Sequence, residues 1–264
     1  MATDATPSLT DPVDTQPRLD GKRAVVVGAS RGLGRGIAET LAGAGASVRA
    51  VSRDAAGLAD LETASPTVEV TVADALDPDL PADVIGSYDP DILAIVAGAS
   101  PPLRPIHEHT WETFSRAWDV DVHLTFNWLR QALVQPLRPG SRVLLMSSGA
   151  AVAGSPLSGG YAGAKATIRF MAQYADDEAR GAGLGIRVVA VLPKLTPATD
   201  LGLTAVRRYA QRAGVSEEQY SARFGAPLTP ERAGDAFLAL AAGELDGTVA
   251  YLLTGDRGLT PLGG

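Results

Sequence analysis

Tyr161 and Lys165 stand four residues apart in the run Tyr161-Ala-Gly-Ala-Lys165, at the start of a segment with helical periodicity. That spacing puts both side chains on one helix face, one turn apart. A phenol with an ordinary pKa of about 10 is a poor acid or base at neutral pH. An ammonium one turn away favours the phenolate and lowers that pKa. Ser148 lies 13 residues before Tyr161, just after the apolar run Arg142–Met146. Its hydroxyl can hydrogen-bond a carbonyl oxygen while the tyrosine gives that oxygen a proton. Together the three residues are the parts of an acid–base site. A Tyr–Lys pair alone is usually surface decoration, so the weight comes from a second motif upstream.

That motif is Gly28-Ala-Ser30-Arg31-Gly32-Leu33-Gly34, which follows the apolar run Ala24–Val27 and leads into a segment with Ile37, Ala38 and Leu41 on its inner face. Strand, glycine loop and helix in this order let a pyrophosphate approach bare backbone and the first N–H groups of the helix. Gly28, Ser30, Arg31, Gly32, Leu33 and Gly34 are therefore read as cofactor-binding. The next strand ends Val51-Ser52-Arg53, with no acidic residue where one would hold the adenosine ribose hydroxyls. Arg31 and Arg53 would instead flank the ribose with two guanidiniums, which suits a 2′-phosphate. NADP(H) is thus expected over NAD(H). Asp74, after the third strand, is placed to take the adenine amine.

Positioning these groups requires a particular scaffold. Short apolar runs at Ala24–Val27, Ser47–Val51, Thr67–Val72, Ile92–Val96, Arg142–Met146, Ile186–Leu192 and Val249–Leu253 read as strands. Amphipathic segments alternate with them, among them Trp111–Val134, Tyr161–Arg180 and Pro230–Ala242. Buried strands alternating with helices predict an α/β fold, a doubly wound parallel sheet of Rossmann type. Residues 1–18, rich in Thr, Asp and Pro, are expected to be a disordered tail before one domain over 19–264.

Composition removes other classes. Among 264 residues, 23 Lys plus Arg face 30 Asp plus Glu, a net charge of −7. No basic stripe is available, so a nucleic-acid partner is not expected. The absence of cysteine excludes disulfides, thiolate zinc sites and cysteine nucleophiles. No apolar stretch reaches the roughly 18 residues of a membrane span. The acidic start lacks a basic region followed by an apolar one, and a cytoplasmic protein is expected. No metal is expected either. His107-Glu108-His109 lies in a loop, and Asp119, Asp121 and His123 diverge around a helix.

The order and spacing of these pieces resemble the single-domain short-chain dehydrogenase/reductase family over nearly the whole length from about Asp20. The resemblance rests on Gly28, Gly32 and Gly34, Asp74, Ala97-Gly98, Ser148, Tyr161 with Lys165, and Pro193. It implies hydride transfer between a nicotinamide and a carbonyl or alcohol carbon of a small molecule. Tyr161 would then be the acid in reduction and the base in oxidation, and Ser148 would orient the substrate oxygen. Lys165 would lower the tyrosine pKa and hold the nicotinamide-ribose hydroxyls. Ala97 and Gly98 would bring backbone close to the cofactor, and Pro193 would border the nicotinamide. Ser147 is one residue out of register and would point to the other side of the strand. The resemblance also implies a homodimer or homotetramer through helices flanking the fourth and fifth strands.

Three departures from the family pattern stand out. Ile95-Val96-Ala97-Gly98 replaces the usual Asn-Asn-Ala-Gly, and Val122-His123-Leu124 is matched to the usual Val-Asn-Leu. His123 is accordingly expected as a proton relay. Lys194 stands where glycine usually follows the proline, and Thr196 or Thr199 would contact the carboxamide. Residues 194–229 mix Leu201, Val206, Tyr209, Tyr220 and Phe224 with several arginines and are expected to form a lid. With Pro101–Pro105 as the opposite wall, the lid implies a medium or bulky, hydrophobic substrate. Two readings follow: an NADPH-dependent ketoreductase, and a non-catalytic or weakly catalytic dinucleotide-binding sensor or assembly protein on the same fold. Retention of Ser148, Tyr161 and Lys165 favours the first, because binding alone needs no general acid.

Overall fold

The computed structural model describes residues 17–243 and 247–263. The tail expected over 1–18 lies, up to residue 16, outside the described residues. Seven strands run parallel: β1 (Arg23–Val27), β2 (Ser47–Ser52), β3 (Val68–Val72), β4 (Ile92–Ile95), β5 (Arg142–Met146), β6 (Arg187–Pro193) and β7 (Ala250–Thr254). An eighth, β8 (Gly258–Pro261), pairs antiparallel with β7. The sheet order is β3-β2-β1-β4-β5-β6-β7-β8. The fold is the expected α/β doubly wound sheet, with β8 added at its edge.

The central strands β1, β4, β5 and β6 are buried on both faces because helices cover both, so their runs read as apolar without alternation. On one face α1 (Gly32–Gly43), α2 (Ala55–Ala64) and α10 (Pro230–Ala242) pack Ile37, Leu41, Leu58 and Phe237 against Val26 and Ala94. On the other, α3 (Leu80–Tyr88), α5 (His123–Val134) and α7 (Tyr161–Gly181) pack Ile85, Trp128 and Ile168 against Val25 and Leu93. Four further helices lie between strands: α4 (Trp111–Ala117), α6 (Ala150–Ala153), α8 (Asp200–Ala213) and α9 (Glu217–Ser221).

The chain winds one way from β1 through β2 to β3 and the other way from β4 onward. The crevice that this reversal opens at the carboxyl ends of β1 and β4 is where open α/β sheets bind ligands. The single helix expected over Trp111–Val134 is interrupted. Residues Trp118–Val122 form a wide turn of π type between α4 and α5. Wide turns of this kind recur at functional sites. Among the described residues, no helix is long and apolar enough to cross a membrane.

Candidate active site

A cleft of about 710 Å³ opens at this reversal. Its walls include Gly28, Ser30, Arg31, Gly32, Leu33 and Gly34, then Arg53, Asp74, Ala97 and Gly98, and finally Tyr161, Lys165 and Pro193. The glycine loop is tight. Gly28 has φ +94°, and a Cβ there would sit 2.6 Å from the Ala97 nitrogen. A Cβ on Gly34 would come within 2.1 Å of the Gly28 carbonyl oxygen. No side chain caps the start of α1. Its first N–H groups therefore keep their hydrogen-bonding capacity for an anion.

Around the far end of the cleft, Ser52 Oγ donates to Ser30 Oγ at 3.0 Å. Arg53 lies 3.3 Å from Asp74, and both are well exposed. Such a surface pair is worth only about 0–1 kcal/mol, so the guanidinium remains available to a ligand. Trp128 Nε1 donates to the Ala75 carbonyl at 3.1 Å, which anchors the turn following Asp74 to α5.

The opposite end carries the acid–base groups. Tyr161 opens α7, where Gly160 donates its N–H to the Phe114 carbonyl at 3.2 Å. One turn later Lys165 is 4% exposed. Its Nζ stands 5.6 Å from the centre of the Tyr161 ring and donates to the Met146 carbonyl at 3.2 Å. Asp121 Oδ2 is 3.0 Å from the same nitrogen. Burial pulls the lysine pKa down, but the Asp121 carboxylate and the Tyr161 oxygen pull harder the other way, leaving it above the usual lysine value. Ser147 is spent on structure: its Oγ donates to the Lys165 carbonyl at 2.7 Å. Ser148 Oγ only accepts, from the Ala150 N–H at 3.2 Å, and no described bond uses its hydroxyl proton.

Three expected site residues, Ser148, His123 and Thr196, are not among the residues of the cleft wall. His123 is exposed and does not line the cleft. The wide turn brings Asp121 inward instead, and that residue is 1% exposed against Lys165. Its flanking Val120 and Val122 fit the family's asparagine setting about as well as the residues around His123, and this was the available signal. Thr196 is also diverted. It is buried, and its Oγ donates to the Leu228 carbonyl at 2.9 Å. Ala198 and Thr199 line the cleft in its place, with Thr199 capping α8 through the Gly202 N–H.

The start of segment 194–229 lines the cleft with Ala198, Thr199, Asp200 and Leu201. Tyr209 hydrogen-bonds Ser155 in the loop before Tyr161. Tyr209 stacks on Tyr220 at 6.0 Å, and Tyr220 meets Phe224 edge-on at 5.5 Å. Lys194 Nζ lies 5.8 Å from the Phe224 ring centre. The loop after β4 docks beside it through a parallel bridge from Arg104 to Ser158. His109 fixes that loop with both ring nitrogens, one toward Thr113 Oγ1 and one toward the Arg104 carbonyl, each at 3.2 Å.

Comparison with known proteins agrees with this geometry. The chain is similar to a 3-ketoacyl-(acyl-carrier-protein) reductase from Brucella melitensis solved with NADH, at TM-score 0.76 and 23% identity over 90% of this chain and 98% of that one. That likeness concerns the fold. A 3-oxoacyl (acyl-carrier-protein) reductase from Agrobacterium tumefaciens solved with NADP gives TM-score 0.74 and 25% identity over 92% and 97%. Among curated relatives, D-erythrulose reductase of Gallus gallus is 34% identical over 131 residues, 48% of this chain and 53% of that protein. Hydroxynaphthalene reductase arp2 of Aspergillus fumigatus is 31% identical over 169 residues, 57% of this chain and 58% of that protein. The alignments thus span little more than half the length of these relatives. The family model described as short chain dehydrogenase matches residues 22–208. The chain belongs to the short chain dehydrogenase family.

Proposed function

We propose that the protein is an NADP(H)-dependent ketoreductase acting on the carbonyl or secondary alcohol of a medium or bulky, hydrophobic small molecule. The observation that carries this reading is the placement of Tyr161 and buried Lys165 on the wall of the same cleft as the glycine loop. A nicotinamide dinucleotide fits the residues present. The bare backbone at Gly28, Gly34 and Gly98, the uncapped start of α1 and the volume of the cleft all suit it. When bound, the dinucleotide supplies a hydride for reduction or takes one up in oxidation.

The chain's own residues handle the proton. Tyr161 gives its phenolic proton to the substrate oxygen during reduction and takes it back in oxidation. The free Ser148 hydroxyl proton donates a hydrogen bond to that same oxygen and holds it in place. Lys165, buried one turn away, supplies the positive charge beside the Tyr161 ring.

NADP(H) over NAD(H) is supported by Arg31 and Arg53, both exposed on the cleft wall, and by Ser52 at the end of β2. The aromatic series Tyr209, Tyr220 and Phe224 supports segment 194–229 as a substrate lid with an apolar lining. Exposed Phe126 on α5 and Phe170 and Tyr174 on α7 support self-association through these two helices, with exposed Trp118 on the turn before α5.

Fluorescence titration with NADPH and NADH, followed by oxidation of NADPH against a panel of bulky ketones, tests the reading. Binding with turnover that Tyr161→Phe abolishes supports it. Tight binding without turnover on a broad panel would favour the sensor, and no binding would end the proposal.

A further inference from the structure

A circuit of contacts runs from the end of β5 through the aromatic residues of segment 194–229 and back. Gly149, directly after Ser148, donates its N–H to the Pro193 carbonyl at 2.9 Å. A Cβ on Gly149 would stand 3.6 Å from the Cα of Lys194, which follows Pro193 of the cleft wall. Lys194 Nζ lies 5.8 Å from the centre of the Phe224 ring. Phe224 meets Tyr220, Tyr220 stacks on Tyr209, and Tyr209 hydrogen-bonds Ser155. Helix α6 joins Ser155 back to Gly149 and Ser148.

The charges set on this circuit are both positive. Lys194 is exposed, and Arg223 lies 5.1 Å from the Tyr220 ring centre. Among the described residues, no carboxylate comes within ion-pair distance of either, whereas Arg207 on α8 has Glu217 at 3.4 Å. The acids close by are otherwise placed. Asp256 accepts from the Thr254 side chain. Glu218 lines a smaller cavity of about 250 Å³, together with Leu195, Pro197 and Phe224. Attraction to an aromatic face holds an ammonium in place without using its N–H donors. Lys194 thus presents three unused donors and a full charge beside an apolar wall, next to the strand end that carries Ser148. A carboxylate bound there makes a charge-assisted hydrogen bond, strengthened where the ligand's apolar body excludes water.

We propose that Lys194 is a specificity-determining residue: its ammonium binds a carboxylate of the substrate, so the preferred carbonyl compound is a keto acid with its apolar part against Tyr209, Tyr220 and Phe224. This names the substrate class for the ketoreductase reading and rests on it, although the acid site itself can be tested without turnover.

The probes are β-benzoylpropionate and γ-benzoylbutyrate, each compared with its methyl ester, which keeps the aryl ketone and removes the charge. Binding is measured by calorimetry with and without NADP⁺, conditions in which no ketone is reduced, and turnover is measured separately with NADPH. The wild type should bind at least one acid about tenfold or more tighter than its ester, the scale of one charge-assisted contact. Lys194→Met keeps an apolar stem against Phe224 and should abolish that preference, and Lys194→Arg should retain it. No preference in the wild type, no binding of either acid, or a preference that Lys194→Met leaves unchanged would overturn the proposal.

NADP⁺ affinity separates the substrate from the other source of negative charge. If Lys194→Met weakens NADP⁺ while the acid-to-ester ratio stays, the ammonium serves the dinucleotide phosphates and the proposal falls. Equal turnover of acids and esters would also end it, with the ketoreductase reading intact. Acids held through Lys194 but never reduced would leave the acid site standing and end the ketoreductase reading instead.

Discussion

Ser147 Oγ donates to the Lys165 carbonyl oxygen across 2.7 Å and so fastens the end of β5 to the second turn of α7. The next residue does the opposite. Ser148 is only partly buried and its hydroxyl proton is unclaimed by any described bond. Both serines lie just past the end of β5, where Ser147 is buried and Ser148 stays partly exposed, so two adjacent residues divide structure from chemistry.

That division is measurable. Ser147→Ala should cost about 0.5–1.5 kcal/mol of unfolding free energy, because one buried hydrogen bond is lost while the carbonyl keeps its place in the helix. Ser148→Ala should leave the denaturant midpoint close to wild type and lower kcat by about 100-fold, the scale of losing one donor to a reacting oxygen. The reverse pattern would exchange the two roles.

Arg53 bears on cofactor choice. Its pairing with Asp74 is exposed and weak, so a bound 2′-phosphate should displace it readily. Arg53→Ala should raise the NADPH Kd by roughly 10-fold or more and leave the NADH Kd within about twofold, as expected for loss of a charge-assisted contact. Equal losses for both dinucleotides in the same titration would remove Arg53 from the specificity argument.

Lys165 sets an alkaline limit on stability. Its pKa in the fold is raised above the unfolded value of about 10.4. The group's stabilisation is therefore complete below that value and is lost as pH rises through the folded pKa. Melting curves of the wild type should fall more steeply above about pH 10.4 than those of Lys165→Met, which lacks the titrating group. Parallel curves would remove Lys165 from the alkaline limit.

A second buried charge cluster is structural. Asp176 is 0% exposed, and its Oδ1 accepts from Arg187 Nε and the Val188 N–H, each at 2.9 Å. Asp176→Ala strands Arg187 and should cost about 3–5 kcal/mol. Dinucleotide affinity of the folded fraction should be unchanged, since Asp176 is absent from the cleft wall. A selective loss of binding without loss of stability would contradict this.

Tyr209 holds segment 194–229 to the loop before Tyr161 through Ser155. Tyr209→Phe keeps the stack on Tyr220 but removes that bond. KM for a bulky ketone should rise several-fold, on the order of the 0.5–1.5 kcal/mol of one hydrogen bond, while dinucleotide Kd stays constant. An unchanged KM would show that the contact does not hold the segment over the substrate.

Much of the scaffold was legible because its signals are local. β5 occupies Arg142–Met146 and α10 occupies Pro230–Ala242, as their apolar runs predict. The start of α10 is marked by Thr229, whose side chain caps the Arg232 N–H, and by Pro230 in the first turn. β8 was hidden, since Gly258-Leu-Thr-Pro is four residues long and shows no alternation. The wide turn at Trp118–Val122 was hidden for another reason. Its inward residue is selected by partners at Ala99 and Lys165, far away in the chain, and the sequence around it supports a continuous helix equally well. Thr196 was misplaced in the same way, because its hydroxyl is claimed by Leu228 from 32 residues downstream. Local periodicity finds elements, while the choice between neighbouring polar side chains is made by tertiary contacts.

The short antiparallel strand β8 also bears on how the protein behaves at high concentration. A parallel sheet ending at β7 would present a row of unsatisfied N–H and C=O groups beside apolar Tyr251, Leu252 and Leu253, a template for strand addition by another chain. β8 pairs with that row through Leu252 opposite Thr260 and Leu253 opposite Leu259. It then stops after four residues at Pro261, which has no N–H to donate. The border left to solvent on this side is too short, and too poor in donors, to nucleate aggregation through sheet extension.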